Sequence, residues 1–446
     1  MRHDPLDRNL FIQNRQRLRT QMLANGLAAL NANDILPTSA DGSMAFHQNP
    51  DLYYLSGITQ EETILLIYPD AAEEAQREIL FLRRPSEHLA TWEGHKLSQE
   101  EARERSGIET VMWLEEFRGV FHRLMCECEH VYLNSNEHKR AVVEVETRDA
   151  RFVRDCRERY PLHQYHRLAR VMHRLRAVKS ELEIDLIRKA CALTGRGFRR
   201  VLGFARPGIG EWEVEAELAH EFLRSGSGFA GYQPIIASGA NACTLHYQTN
   251  HNLCRDGDLL LLDFAAEWAG YQSDLTRTIP VNGRFTRRQR SVYEAVLRVF
   301  REASRRMVPG KLIRDLQKET EAAMQEELLS LGLLKKSEVK RQKPGQPALK
   351  KYFMHGVAHP LGLDVHDVGL VTEPIEAGWL LTCEPGIYIK EEGLGVRLEN
   401  DILVTETGPV DLMAEIPIEA DAIEELMNRG SGRSKPRTRP SKSRKG

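Results

Sequence analysis

Residues 259–280, LLLLDFAAEWAGYQSDLTRTIP, form an apolar, strand-like stretch that carries two aspartates, Asp263 and Asp274. A second such stretch, residues 380–405 (LLTCEPGIYIKEEGLGVRLENDILVT), carries Glu384 and Glu399. Between them lies FMHGVAHPLGLDVHD, residues 353–367, with His355, His359 and His366. A carboxylate inside an apolar strand loses its water, so it is normally paired or bound to a metal. Four of them together repel one another. Two divalent cations would offset the four negative charges. Asp263, Asp274, His359, Glu384 and Glu399 are therefore five potential ligands of a dinuclear metal site.

The spacings support a shared face. A hairpin symmetric about Trp268 and Ala269, turning through 267–270, would place Asp263 directly opposite Asp274. A hairpin turning around Glu391 and Glu392, with Gly393 nearby, would oppose Glu384 and Glu399. Directly opposed residues point to the same face, with Cβ atoms about 4.5–5.5 Å apart. The two hairpins suggest a duplicated layout, although no sequence repeat accompanies it. His355 and His359 have the HxxxH spacing of a helical zinc site. Gly356 stands where that motif has its catalytic glutamate, so the motif fails. No GxSxG elbow and no phosphate-loop lysine motif occur either. The glycine-rich GSGFAGY at 226–232 lacks a dinucleotide fingerprint. One imidazole with four carboxylates is an oxygen-rich donor set, suited to Mn²⁺ or Mg²⁺, with Zn²⁺, Co²⁺ or Fe²⁺ also compatible. Two such ions activate water and polarise a carbonyl, which is the chemistry of amide or ester hydrolysis.

Bulk properties set the frame. The chain has 446 residues, 41% apolar and 28% charged, which fits a globular protein of two or three domains. Its start, MRHDPLDRNLFIQNRQRL, is charged and has no apolar core, so no secretory signal is expected. No apolar run is long enough to span a bilayer, and no membrane association is expected. Seven scattered cysteines without a CxxC pair point to free thiols in a reducing cytoplasm.

Along the chain, apolar runs such as ETILLIYP, REILFLRR and HVYLN alternate with helical segments such as LSQEEARERSG. Residues 1–175 therefore read as an α/β domain. Ser180 and Glu183 form a capping-box start for a long amphipathic helix, and the domain boundary is placed just before it. Residues 176–428 read as an α+β domain. Its helices are expected at 211–225, 286–307 and 311–331, a basic loop at 333–351, and strands carrying the His and Glu motifs. The segment 429–446, RGSGRSKPRTRPSKSRKG, has eight Lys or Arg and no acid, and reads as a disordered basic tail. The whole chain carries a formal charge of -2, so without the tail it carries -10 (-2 minus 8). Contact of the tail with nucleic acid is expected to be non-specific at most.

The order Asp, Asp, His, Glu, Glu, in DFAAEWAGYQSDLTRT, HGVAHPLGLDVHD, TCEPGIY and RLENDILV, resembles the proline-specific metallopeptidases of the pita-bread fold. FHQNPDLYYLSGI, residues 46–58, resembles the hallmark of the aminopeptidase P N-terminal domain. Together the two resemblances span about residues 35–415. They imply an α/β N-terminal domain followed by an α+β pita-bread catalytic domain. They imply that Asp263, Asp274, His359, Glu384 and Glu399 are the ligands of two divalent ions, Mn²⁺ foremost, with Asp274 and Glu399 placed between both metals. Glu384 would also be the general base for the attacking water. His246, in NACTLHYQTN, would lie near the substrate. His355 and His366 would line the site and stabilise the tetrahedral intermediate. Arg397 would support the carboxylates from behind. Trp92 resembles a tryptophan that some members lend to a neighbouring subunit, and a dimer or tetramer is expected. Ala358 and Pro360 depart from the residues the family usually has beside the liganding histidine.

The activity implied is release of the first residue from peptides whose second residue is proline. The alternatives are a prolidase, confined to Xaa-Pro dipeptides, and a non-catalytic pita-bread binding protein. Methionine aminopeptidases lack a large N-terminal domain, and creatinase has lost the ligands. The intact ligand set also argues against a binding protein.

Overall fold

Strand-by-strand alternation builds the N-terminal part. In the strand Gly26–Asn31 every residue is buried. Leu27 and Ala29 enter one apolar cluster, while Ala28 and Leu30 enter another. Period-two alternation with both faces apolar marks a sheet covered on both sides. In the computed structural model, which describes residues 3–429 except 136, 142 and 344, this strand lies inside a six-stranded sheet. The order across the sheet is Thr110–Trp113, Glu78–Leu82, Ile64–Ile67, Gly26–Asn31, His130–Leu133, Gln164–Arg167. The expected tail falls on residues 430–446, outside the described residues, apart from Arg429.

One face of this sheet shares its apolar core with the rest of the chain. A single cluster runs from Leu10 and Leu30 through Phe198 and Leu262 to Ile423. The helices Leu168–Ala177 and Glu181–Phe204 lead out of the sheet. Ser180 caps the second, with the reciprocal Glu183 contact expected from the sequence. Among the described residues, no helix is long and apolar enough to cross a membrane.

Beyond residue 180 two three-stranded antiparallel sheets flank the carboxylates. One has the order Thr276–Pro280, Leu259–Asp263, Ile235–Ser238. The other has the order Leu380–Cys383, Asn400–Thr405, Gly408–Asp411. The helices Glu181–Phe204 and Glu211–Arg224 form one antiparallel pair, and Arg287–Arg305 with Ile313–Ser330 form another. The basic stretch expected as a loop contains a short helix, Lys336–Arg341.

The glutamate hairpin has the expected register. Gly386 faces Arg397, and Cys383 faces Asn400, so both ladders place Glu384 level with Glu399. The aspartate hairpin does not. Asp263 faces Thr276, two residues beyond the expected Asp274. The cause is the turn: Trp268 pairs with Tyr271, leaving a two-residue connection in which Ala269 and Gly270 both have positive φ, 52° and 81°. That is the backbone of a tight hairpin turn, not the four-residue loop expected. A slip of two keeps parity, so Asp263 and Asp274 still share a face.

Gly270 is constrained twice. Its φ is left-handed, and an added Cβ would lie 3.0 Å from Tyr53 Cε1 of the N-terminal part. Tyr53 also donates to the carbonyl of Ala269 at 2.8 Å. Gly270→Ala is expected to lower unfolding stability by about 1–2 kcal/mol, the cost of a left-handed alanine. Urea denaturation of the variant beside the parent checks it.

Candidate metal centre

The two hairpins meet at Thr276. Its carbonyl accepts from the Glu399 backbone N–H at 3.0 Å, and its hydroxyl donates to Glu399 Oε2 at 2.6 Å. This contact brings the glutamate pair against the aspartate pair. Glu384 and Glu399 each fall at a break between two ladders, and Glu384 N–H donates out of the sheet to Val357 O at 2.9 Å. His359 is on no strand, contrary to expectation. It is held by its own N–H on Thr382 Oγ1 and by its carbonyl under Thr382 N–H.

The donor atoms converge. One ligand atom each from Asp274, His359 and Glu399 lies within 4.8 Å of the others. His359 Nε2 is 3.5 Å from Asp274 Oδ2 and 3.8 Å from Glu384 Oε1. Asp263 joins through Tyr232, whose hydroxyl is 2.8 Å from Asp263 Oδ1 and 2.8 Å from Asp274 Oδ1. One hydroxyl proton cannot serve two carboxylates at once.

The protonation pattern calls for cations. His359 Nδ1 sits 2.9 Å from Pro360 O, so Nδ1 carries the proton and Nε2 aims a lone pair at two carboxylates. Burial pulls the His359 pKa down, but the Asp274 contact and the negative charges of Glu384 and Asp274 lift it above its ordinary value. Burial pushes Glu384 up to about 7, with Asp274 and Asp263 adding to the rise. Burial and the other carboxylates push Glu399 far above the carboxylate range, and Asp263 is also raised. Among the described residues, Arg397 is the one Lys or Arg in contact with these four carboxylates, through Asp263. Four carboxylates, two buried and two half-buried, with one guanidinium fit two divalent ions. Asp263, Asp274, Glu384 and Glu399 would supply the oxygens, and His359 Nε2 the nitrogen.

The surroundings hold these groups. Arg397 donates to Asp263, to Tyr388 Oη at 2.9 Å and to Thr276 Oγ1 at 3.1 Å. Tyr388 Oη in turn lies 2.9 Å from His355 Nε2. His355 Nδ1 bonds Gly356 O at 2.7 Å and lies 3.6 Å from Glu384 Oε2. His355 is thus linked through Tyr388 and Arg397 to Asp263. Burial and the Arg397 charge lower the His355 pKa to about 3. Partial burial and His359 do the same for His366, whose ring is 4.4 Å from that of His359. Both are neutral near pH 7. His246 is exposed on the loop after Gly239–Cys243, close enough to His355 for its charge to be felt there.

Four supporting residues were not legible as such. Tyr232 ends the glycine-rich GSGFAGY, a run without any metal-ligand pattern. Tyr388 is an apolar-looking strand residue. Arg277 is fully buried, donates to Glu399 O at 2.8 Å and Asn400 Oδ1 at 2.7 Å, and is lowered by burial to about 10. Asp401 accepts from the Asp274 backbone N–H at 3.1 Å. Each acts across more than 100 residues of sequence except Tyr232 and Tyr388, and no local pattern announces them. A cleft of about 870 Å³ opens beside Tyr232 and His366 and is walled on its far side by Asn134, Glu137 and Asp149.

Two outcomes are expected. Below about pH 7 a metal must displace the proton on Glu384, so affinity rises with pH. The Kd for Mn²⁺, read from free-ion electron paramagnetic resonance, should fall about tenfold or more between pH 6 and 8. Arg397→Lys keeps the charge but loses the fork, and should weaken Mn²⁺ binding about 10–100-fold.

Known proteins are similar over nearly the whole chain. The family model "Metallopeptidase family M24" matches residues 185–406, and "Aminopeptidase P, N-terminal domain" matches residues 11–132. The chain is 34% identical to the Xaa-Pro aminopeptidase of Escherichia coli over 95% of its own length and 98% of that protein's. It is 30% identical to human Xaa-Pro aminopeptidase 3 over 88% of its length and 79% of that protein's. Zinc-substituted E. coli aminopeptidase P in complex with product superposes with a TM-score of 0.84 at 34% identity, over 95% of this chain and 99% of that one. With a pita-bread fold, a matching N-terminal domain and this likeness over nearly its whole length, the chain belongs to the aminopeptidase P family of M24 metallopeptidases.

Proposed function

We propose that this chain is a metalloaminopeptidase that hydrolyses the first peptide bond of chains with proline second, using Asp263, Asp274, His359, Glu384 and Glu399 as metal ligands. The observation that carries this is the convergence of Asp274, His359 and Glu399, joined by Glu384 through His359 and by Asp263 through Tyr232, beside a cleft large enough for a peptide. The bond before proline is a tertiary amide without an N–H. A protease that grips that N–H cannot hold it, so a dedicated site has a physical reason to exist. The homologues named for Xaa-Pro cleavage support this substrate class over a binding role.

When bound, the divalent ions would acidify water and polarise the scissile carbonyl. The chain's own groups do the rest. Glu384 accepts a proton on its carboxylate from the attacking water and returns it to the departing proline nitrogen. His366, neutral and facing the cleft, offers a hydrogen bond to the charge developing on the carbonyl oxygen. His355 steadies the ligand shell through Tyr388. His246 contacts the substrate from its exposed loop. Arg397 favours the charged form of Asp263 and holds it in place. The proposal takes Mn²⁺ as the working ion, supported by the oxygen-rich donor set, while a relative's structure holds zinc.

The division into domains 1–175 and 176–428 with a basic tail at 429–446 is part of the same proposal, as are a homo-oligomer and a cytoplasmic setting. The oligomer reading is supported by Trp92, 77% exposed on the helix Glu87–Trp92. The cytoplasmic reading is supported by seven free thiols, of which Cys126 is exposed and Cys243 half-buried.

Chelated enzyme should recover Xaa-Pro-Xaa hydrolysis on addition of Mn²⁺. Asp274→Ala should lower kcat/KM by at least about 10³-fold, a loss of about 4 kcal/mol of transition-state stabilisation. Assays of Xaa-Pro dipeptides beside Xaa-Pro-Xaa peptides decide the substrate: turnover of dipeptides alone makes the enzyme a prolidase.

A further inference from the structure

The NPDLYYLSG segment carries a side chain that the reaction leaves unused. Asp51 sits in the first turn of the helix Pro50–Ser56 and is buried. Both its oxygens are engaged. Asn134 Nδ2 donates to one at 2.8 Å, and an Arg176 Nη donates to the other at 2.9 Å. Arg176 ends the helix Leu168–Ala177 and is itself buried. Its second Nη reaches Asp364 at 2.8 Å and also Asp367. Lys179 Nζ bonds Asp367 Oδ2 at 3.1 Å and Arg176 O at 2.6 Å. Three carboxylates and two cations therefore join the N-terminal sheet domain, the connecting helix and the segment that carries His359 and His366.

That segment needs external support. The described backbone from 353 to 378 contains no helix and no strand. Asp367 is its internal post. Its N–H donates to Pro360 O at 3.0 Å, and its carboxylate accepts from Val368 N–H at 2.9 Å. Gly362 packs so closely that an added Cβ would lie 2.1 Å from Asp367 Oδ2 and 2.9 Å from Lys179 Cε. Gly362 O in turn accepts from Gln272 N–H at 2.8 Å, on the aspartate hairpin. His366 lies between Asp364 and Asp367, the two residues that Arg176 grips. A planar guanidinium fixes the direction of each bond it makes, so Arg176 sets an orientation as well as a charge balance.

We propose that Asp51, acting through Arg176 and Asp367, is a positioning residue for His366, so that the N-terminal domain holds the catalytic segment in its working shape. This rests on the reading above that His366 acts on the substrate.

Asp51→Asn keeps the shape and removes the charge. Hydrogen exchange followed by mass spectrometry should show the amides of residues 359–368 exchanging about tenfold or more faster, with those of Leu259–Asp263 unchanged. In Xaa-Pro-Xaa turnover kcat should fall about tenfold with KM within about twofold, and in a His366→Ala background Asp51→Asn should change kcat by less than about twofold. Losses that multiply in the double variant, or unchanged exchange in 359–368, would overturn the proposal. A wild-type protein inactive on Xaa-Pro peptides would sink the functional reading alone, because the exchange comparison still decides the clamp. Arg176→Lys, which loses the fork, gives the same loop-confined exchange if Asp51→Asn does not fold, and unchanged exchange there would equally overturn the proposal.

Discussion

Mutual repulsion of four carboxylates in one buried space governs this molecule. At an effective dielectric constant of about 20, two unit charges about 4 Å apart repel by about 4 kcal/mol. A few such pairs rival the whole net stability of a domain, about 5–15 kcal/mol. Burial already raises Asp263, Glu384 and Glu399. The neighbouring features read as answers to that charge. Arg397 contacts Asp263, Tyr232 lies between the two aspartates, Thr276 donates to Glu399, and Pro360 O turns the His359 lone pair inward. These groups reduce the repulsion without cancelling it, and the remainder is the driving force for metal.

The same constraint separates roles among titratable groups. Without metal Glu384 is lifted toward neutral pH, so proton and metal compete for it, while His355 and His366 are held neutral and suit hydrogen bonding. Pairs of groups whose surroundings push their pKa values apart mark acid and base roles. The irregular segment carrying His355, His359 and His366 gains its shape from buried ion pairs at Arg176 and Lys179. Breaking one partner of such a cluster costs far more than the intact cluster contributes to stability, which suits a role in fixing geometry.

Much of this was legible in the sequence, for reasons that differ by element. Asp263 and Glu399 stood out as candidate ligands because carboxylates on LLLLD and RLEND contradict their apolar setting. The glutamate hairpin could be registered because its turn is symmetric about Glu391 and Glu392. The aspartate hairpin slipped by two because Ala269 adopts a left-handed φ that alanine rarely takes, so a two-residue turn was not anticipated. Parity preserved the shared face. His359 was expected on a strand, yet its segment is shaped by tertiary bonds that no period reveals. Arg277, Asp401 and the Asp51–Arg176–Asp367 cluster join residues more than 100 apart, beyond the reach of any local pattern.

The central claim is that the buried carboxylates exist to hold two divalent ions. The most direct measurement is metal content by inductively coupled plasma mass spectrometry on protein titrated to full activity against an Xaa-Pro-Xaa peptide. The account predicts that activity saturates at two ions per chain. Full activity with one ion per chain, or with none, would contradict it.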